Sequence, residues 1–239
     1  MAGPALLALL GAHDSAPVWI AVVLHGAAFL FVTLGSWKSP ASPSGATTLS
    51  LGQFCATALP LAIAVVYFAM FDSSMLSLLP LYGLAVGLSE RAAVMLATMV
   101  LLGDASLQVF VGWAADRFGR SRIHGICGAL TCISALSVPL SARWPLMLWV
   151  ALFVMGGAAG GLYTLAIVQI GDRFAGQALI AANAFVGIMW GLGSISGPLA
   201  GSAGMAIAGP QGLLLFAAAG ALVFTTVLWL RPSAAVLFR

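Results

Sequence analysis

Seven apolar stretches, each long enough to cross a bilayer as a helix, recur along the chain of 239 residues. A transmembrane helix needs roughly 20 apolar residues, and backbone groups in lipid must hydrogen-bond within their own segment. No segment of about ten residues alternates in polarity as a membrane barrel strand would. The sequence therefore predicts an all-α integral membrane protein with about seven transmembrane helices, at residues 18–37, 52–80, 92–114, 123–140, 145–170, 177–207 and 212–230.

The balance of residue types excludes several other classes of protein. Hydrophobic residues make up 62% of the chain and charged residues only 6%, whereas a soluble domain carries about 25% charged residues. Nine Lys and Arg against six Asp and Glu give a net charge of +3, which is too little for a surface that binds nucleic-acid phosphates. We therefore expect neither a soluble enzyme nor a nucleic-acid-binding protein.

Motifs for catalysis or cofactor binding are not recognisable in the sequence. It contains no HExxH pair, no Walker loop and no Ser-His-Asp arrangement that can be placed. The three cysteines, Cys55, Cys127 and Cys132, lack metal-binding spacing and are expected to be small packing residues. We therefore expect no enzymatic activity, no metal and no cofactor.

The basic residues of the loops indicate which side of the membrane each loop faces. With seven spans, one side holds only Arg91 and Arg143. The other side holds Lys38, Arg117, Arg120, Arg122, Arg173, Arg231 and Arg239. Because cytoplasmic loops carry the excess of Lys and Arg, the loops 38–50 and 116–122 and the C-terminus are predicted to be cytoplasmic. The predicted location is the plasma or inner membrane.

The basic loop after the third predicted span, residues 112–122, reads GWAADRFGRSR. It resembles the loop signature G-x-x-x-D-R-x-G-R-[RK] of the major facilitator superfamily. It departs from that signature at Ser121, where a second basic residue is usual. The matching positions are Gly112, Asp116, Arg117, Gly119 and Arg120. The resemblance therefore implies a membrane transporter with a cytoplasmic gate at this loop.

The same resemblance implies a role for each charged residue of the gate. Asp116 would cap the N-terminus of a neighbouring helix, where the helix dipole favours a negative charge. Arg117 and Arg120 would pair with acids, of which Asp172 is the other one available on the cytoplasmic side. In the family, the contacted helix comes from a region that this chain mostly lacks, so we expect an incomplete latch.

A second resemblance to the same family lies in the sixth predicted span, where residues 193–201 read GSISGPLAG. This segment is similar to the helix-packing pattern G-x-x-x-G-P-x-x-G, with matches at Gly193, Gly197, Pro198 and Gly201. The sequence from Gly3 onwards begins in a similar way, six spans earlier. Transporters of this family consist of two six-helix halves related by a parallel repeat.

The repeat implies a division of the chain. Residues 1–37 are expected to hold the end of one helix and a complete helix from the N-terminal half. A cytoplasmic linker at 38–51 then leads to a six-helix C-terminal half at 52–231, and a cytoplasmic tail follows at 232–239. Within the superfamily, the segments at 71–83 and 170–174 resemble bacterial efflux permeases. The missing half or a second copy would then be a required partner.

Two predicted spans, 52–80 and 177–207, carry about 30 residues each and are expected to tilt or kink. Pro60 and Pro198 are the expected break points, because proline removes a helical hydrogen bond and clashes with the preceding turn. His124 and Trp144, which lie at or just before the starts of predicted spans, are expected at the membrane interface.

Six polar or aromatic residues within the spans are candidates for a solute cavity. A charge at mid-bilayer is costly, so Asp72 and Asp104 are expected to face a cavity or a partner. Gln108 follows Asp104 by four residues and shares its helix face. The others are Tyr163, Asn183 and Trp190. Packing and interhelical hydrogen bonding are the alternative roles for all of them.

These features favour secondary transport of a small organic solute by alternating access, coupled to protons. Two acids and Trp190 would suit a cationic amphiphile, whereas Gln108, Asn183 and Tyr163 would suit a sugar. The expected partners are membrane lipid, the solute and protons. Two alternatives remain at this point: a seven-helix receptor or sensor, and a truncated transporter without activity of its own.

Overall fold

The computed structural model describes residues 16–34, 49–141 and 144–230, and within these ranges it contains helices and no strand. The prediction of an all-α protein is therefore confirmed. The helices are α1 (Ala16–Leu34), α2 (Leu51–Ala85), α3 (Glu90–Phe118), α4 (Arg120–Leu140), α5 (Pro145–Arg173), α6 (Gly176–Ala208) and α7 (Gly212–Leu230), with a 3-10 turn at Gly209–Gln211.

Helices α2 to α7 lie in stretches that are long and apolar enough to cross a membrane. Five such stretches occur in the described ranges, and the last of them, Gly176–Leu230, contains both α6 and α7. The apolar part of α1, Val22–Phe31, is shorter. A multi-pass membrane protein is therefore the architecture of this chain.

Several predicted features lie outside the described residues. They are the partial helix and polar turn before residue 16, most of the linker with Lys38, the loop residue Arg143, and the tail with Arg231 and Arg239.

The helices extend beyond the predicted spans because polar residues cap them further out. Ser50 begins α2 with a reciprocal capping box: its Oγ accepts from the Gln53 backbone N–H at 3.2 Å, and Gln53 Oε1 accepts from the Ser50 N–H at 3.0 Å. Ser89 caps α3 through a single bond: its Oγ accepts from the Ala92 backbone N–H at 3.4 Å. Because the residues at these helix starts include polar ones, a search for apolar stretches leaves them out. The predicted spans therefore begin after the helices do.

The predicted loop 116–122 is reduced to a single residue. Helix α3 ends at Phe118 and α4 begins at Arg120, so that only Gly119 separates them. Gly119 has φ +95°, a backbone conformation that glycine adopts readily and other residues rarely do. The gate motif is therefore carried on the last turn of one helix and the first turn of the next.

The two expected proline breaks have different outcomes. Helix α2 departs from helical geometry at Ala58 (φ −128°, ψ 31°), two residues before Pro60, as expected from the clash of the proline ring with the preceding turn. Helix α6 instead runs from Gly176 to Ala208 through Pro198. The break at Pro198 is therefore a wrong prediction.

Helices α3 and α5 cross so closely that their backbones touch. A Cβ on Gly103 would overlap the carbonyl oxygen of Phe153, and a Cβ on Gly156 would overlap the carbonyl oxygen of Val100. Small residues allow such an approach where lipid offers no hydrophobic drive for helix association. This crossing holds α3 and α5 in a fixed register.

The GSISGPLAG segment places α6 against α2 by the same means. A Cβ on Gly193 would lie 2.7 Å from the Val66 carbonyl oxygen, and one on Gly197 would overlap the Met70 backbone. A Cβ on Gly201 would lie 2.9 Å from Leu78 Cδ1. Pro198, between these glycines, is half-buried.

Helix α1 makes no extensive contact with α2–α7 in the described part of the chain. Its large side chains are open to the surroundings, with Trp19 65% exposed and Phe29 and Phe31 69% exposed. The packed bundle therefore consists of α2 to α7.

Candidate functional site

A chain of hydrogen bonds links polar side chains of α3 and α5. Gln108 Nε2 donates to Asp104 Oδ1 at 2.7 Å, and Thr164 Oγ1 donates to Gln108 Oε1 at 2.7 Å. All three side chains are half-buried. The predicted shared face of Asp104 and Gln108 is thus present, and its partner on α5 is a threonine.

Gly160 of α5 makes room for this chain of hydrogen bonds. A Cβ at position 160 would overlap the Asp104 carboxylate and would crowd the Gln108 amide. The glycine-rich segment of α5 therefore lets the helices approach, and it also leaves the space that the Asp104 carboxylate occupies.

Asp72 lies on α2 and is half-buried. It makes no hydrogen bond or ion pair with another described residue, whereas its neighbours bond within their own helix. Ser73 Oγ donates to the Ala69 carbonyl at 2.7 Å, and Ser74 Oγ donates to the Met70 carbonyl at 2.7 Å. Asp104, the other acid within the spans, is half-buried on α3, which packs against α2. The two acids of the spans thus lie on neighbouring helices.

Three aromatic rings from three helices meet beside these carboxyl groups. The centroid of Phe68 lies 5.5 Å from that of Tyr163 and 5.7 Å from that of Trp190, and the Tyr163 and Trp190 centroids are 4.9 Å apart. We call these residues the aromatic cluster. Phe68 precedes Asp72 by one helical turn, and Tyr163 directly precedes Thr164, so the cluster adjoins the polar residues on both helices.

Asn183 does not join this arrangement. It is exposed on α6, about two turns before Trp190, and it makes no hydrogen bond to another described residue. The aromatic cluster instead includes Phe68, which the sequence analysis did not single out. Phe68 lies in a long apolar stretch of α2, where the spacing of the aromatic residues does not indicate which of them contacts other helices.

The charged residues of the gate motif connect α3, α4 and α5 at the end of the bundle where α3 and α5 end and α4 begins. Arg120 contacts Asp172 directly, and its Nη2 lies 3.4 Å from Asp116 Oδ1. The Arg117 guanidinium instead lies over the ring of Phe118, 5.8 Å from its centroid. Asp116 has no other partner among the described residues. Of the two arginines, Arg120 is thus the one that meets both acids.

This Arg120 contact is expected to contribute little to stability. The side chains of Arg120 and Asp172 are 36% and 54% exposed, and exposed ion pairs contribute about 0–1 kcal/mol. Arg120→Ala should therefore lower the free energy of unfolding by less than about 1 kcal/mol. The matched control is Arg122→Ala, an exposed arginine in the same turn. Thermal unfolding in detergent would contradict this expectation if Arg120→Ala cost several times more than the control.

A buried histidine lies near this end of the bundle. His124, predicted at the interface, is 0% exposed, and that prediction is wrong. Its Nε2 lies 3.0 Å from the Leu162 carbonyl oxygen, and Gln169 Nε2 donates to its Nδ1 at 3.0 Å. Gln169 Nε2 also donates to the Leu165 carbonyl at 3.1 Å. These partners assign a neutral ring that carries its proton on Nε2. Trp144, in contrast, is 68% exposed.

A cavity of about 460 Å³ lies apart from the polar site, between α2, α6 and α7. Its lining is apolar, and the one hydroxyl on it, that of Tyr67, donates to the Ala217 carbonyl at 2.7 Å. Neither Asp72 nor Asp104 lines this cavity. The titratable groups therefore face a different part of the bundle.

The sequence as a whole matches a known family. A model of the Major Facilitator Superfamily matches residues 61–237. The chain belongs to this superfamily. The family resemblance inferred from the loop and the GSISGPLAG segment is therefore confirmed.

Two curated relatives are similar to parts of this superfamily member. An uncharacterized MFS-type transporter of Bacillus subtilis, YfkF, is 31% identical over 125 residues, which are 51% of this chain and 31% of the relative. The efflux pump dotC of Dothistroma septosporum is 32% identical over 115 residues, which are 48% of this chain and 20% of the relative. The chain thus spans about a third or less of the length of these relatives.

Proposed function

We propose that this chain takes part in proton-coupled secondary transport of a small organic solute by alternating access. The observation that carries the proposal is the pair of half-buried carboxyl groups, Asp72 and Asp104, on the neighbouring helices α2 and α3. Membrane-embedded acids commonly belong to proton or ion pathways. Asp72 is the first candidate for the coupling group, because it has no hydrogen-bond partner among the described residues.

Asp104 is the second candidate for the coupling group. Its Oδ1 accepts from Gln108, which in turn accepts from Thr164 on α5. A change in the protonation of Asp104 would therefore alter a hydrogen-bonded connection between two helices. Such a connection between a proton site and helix position is what coupled transport requires.

Transport by this chain is expected to need a second six-helix unit. In transporters of this architecture, the solute site lies between two halves near the midplane. Helix α1 makes no extensive contact with the packed bundle, which agrees with a helix whose neighbours belong to another half. That unit is either the missing N-terminal half or a second copy. The bundle is expected in the plasma or inner membrane with its C-terminus in the cytoplasm.

The proposal predicts that gradient-driven flux depends on the two carboxyl groups. In proteoliposomes, a solute panel is measured with and without a pH gradient, for this chain and for a longer parent form. Asp72→Asn is expected to abolish gradient-driven flux, and Asp104→Asn to reduce it strongly. The matched control is Ser73→Ala, because that hydroxyl bonds only within its own helix.

Two results would contradict parts of this proposal. Gradient-driven flux that is unchanged in both asparagine variants would remove Asp72 and Asp104 from the coupling mechanism. Robust flux from the 239-residue chain as a monomer would remove the requirement for a second unit.

A further inference from the structure

The centre of the described bundle contains two carboxyl groups and no arginine or lysine. Asp72 and Asp104 lie well within α2 and α3. The described cations all lie in the first or last turn of a helix, and they are Arg91, Arg117, Arg120, Arg122 and Arg173. Because charges in a low-dielectric interior are screened little, an ionised carboxylate in this region attracts a positively charged ligand and repels an anion.

The aromatic cluster adds a second feature that favours a cation. The faces of aromatic rings attract cations that lie within about 6 Å of the ring centroid. Tyr163 and Trp190 are only half-buried, so part of each ring remains accessible. Phe68 stacks on Tyr163 with an interplanar angle of 22°. It holds the cluster beside Asp72, one turn along α2.

Of the polar groups suggested for a neutral sugar, Gln108 is partly engaged and Asn183 lies elsewhere. The Gln108 amide donates one N–H to Asp104 and accepts from Thr164, so half of its hydrogen-bonding capacity is in use. Asn183 is exposed and lies about two turns from the aromatic cluster. A polyol is held by several convergent donors and acceptors, whereas the described residues beside the aromatic cluster offer few, chiefly the Tyr163 hydroxyl and the Asp72 carboxyl group.

We propose that the aromatic cluster and Asp72 form a binding site for an organic monocation with apolar or aromatic substituents. The carboxylate of Asp72 balances the charge, and the rings of Tyr163 and Trp190 contact the cation and its substituents. This inference names the solute class of the transporter proposed above, and so it rests on that proposed function. It also decides between the cationic amphiphile and the sugar that the sequence left open.

Equilibrium binding to the full chain in lipid nanodiscs tests the site without a need for transport. The probe is radiolabelled tetraphenylphosphonium, and the competitors are unlabelled tetraphenylphosphonium, neutral triphenylphosphine oxide and glucose. We expect saturable binding that only the cation competes away efficiently. Trp190→Ala should weaken binding about tenfold, and Trp190→Phe should weaken it less. Asp72→Asn should weaken binding at least as much as Trp190→Ala, and Asp72→Glu should restore part of it.

Matched controls separate loss of the site from loss of the fold. Trp113→Ala removes an exposed tryptophan of α3 that packs on Phe118, outside the aromatic cluster. Ser73→Ala removes a hydroxyl next to Asp72. Both controls should bind the probe as the unmodified chain does. Thermal unfolding of every variant identifies any that fail to fold, and the conservative Trp190→Phe and Asp72→Glu then decide the outcome.

Several results would overturn the inference. They are absence of saturable binding, equal competition by the neutral phosphine oxide, and unchanged affinity in Asp72→Asn. Competition by glucose would favour the sugar instead. Failure of the proposed function is distinguishable: the cation would then bind as expected, while flux in proteoliposomes would not respond to a pH gradient. If gradient-driven flux of another solute occurred without cation binding, the inference would fail and the proposed function would stand.

Discussion

Gly156→Ala is expected to lower the free energy of unfolding by about 3 kcal/mol. The added methyl group would overlap the Val100 carbonyl oxygen on α3. A backbone atom cannot rotate away as a flexible side chain can, so the helices must separate. Separation would also weaken the contact at Gly103, where a Cβ would meet Phe153. The expected result is a clear drop in the unfolding temperature in detergent, followed by intrinsic fluorescence.

The matched control for this substitution is Gly191→Ala on α6. No atom lies within 4 Å of the position that a Cβ on Gly191 would take, and alanine has a higher helix propensity than glycine by about 1 kcal/mol. The control should therefore be neutral or stabilising. Equal effects of the two substitutions would contradict the close α3–α5 crossing.

His124→Ala is expected to cost about 3 kcal/mol. The substitution leaves a cavity beside Phe224, whose ring centroid is 4.7 Å from that of His124. It also removes the acceptor for Gln169 Nε2 and the donor to the Leu162 carbonyl. His124→Phe fills most of the space but supplies neither hydrogen bond, so it should cost less than the alanine variant.

The control for the histidine variants is Ser137→Ala, also on α4. That hydroxyl donates to the Ser134 carbonyl within the same helix at 2.8 Å, so its loss should change stability little. Chemical or thermal unfolding of the four proteins in one detergent gives the comparison. If His124→Ala were as stable as Ser137→Ala, the buried hydrogen bonds of His124 would be dispensable for stability.

The helices were predictable from the sequence because lipid imposes one simple rule on them. A segment must be apolar along its length and must satisfy its own backbone, and both properties are local. The predicted spans therefore correspond to the described helices, whereas their ends do not. Caps such as Ser50 and Ser89 add a few polar residues that a count of apolar residues leaves out.

The arrangement of the candidate site was only partly predictable, for a physical reason. Asp104 and Gln108 are four residues apart, so helix geometry alone places them on one face. The contact between Phe68 and Trp190 joins helices far apart in sequence, and no local pattern encodes it. The burial of His124 was unpredictable for the same reason, because it depends on residues far away in the sequence. This histidine follows a basic turn, which indicates an interface, but Leu162 and Gln169 on α5 bury it.

The bend in α2 has a mechanical consequence for the end of the bundle that carries the gate motif. The bend at Ala58 stands next to the carbonyl of Thr57, which accepts a hydrogen bond from Arg173 Nη1 at 3.3 Å. Arg173 is the last residue of α5 and follows Asp172, the partner of Arg120. The short segment of α2 before the bend is thus hydrogen-bonded to the end of α5. Straightening α2 would break this hydrogen bond unless the end of α5 moved as well. We therefore expect the two segments to move together.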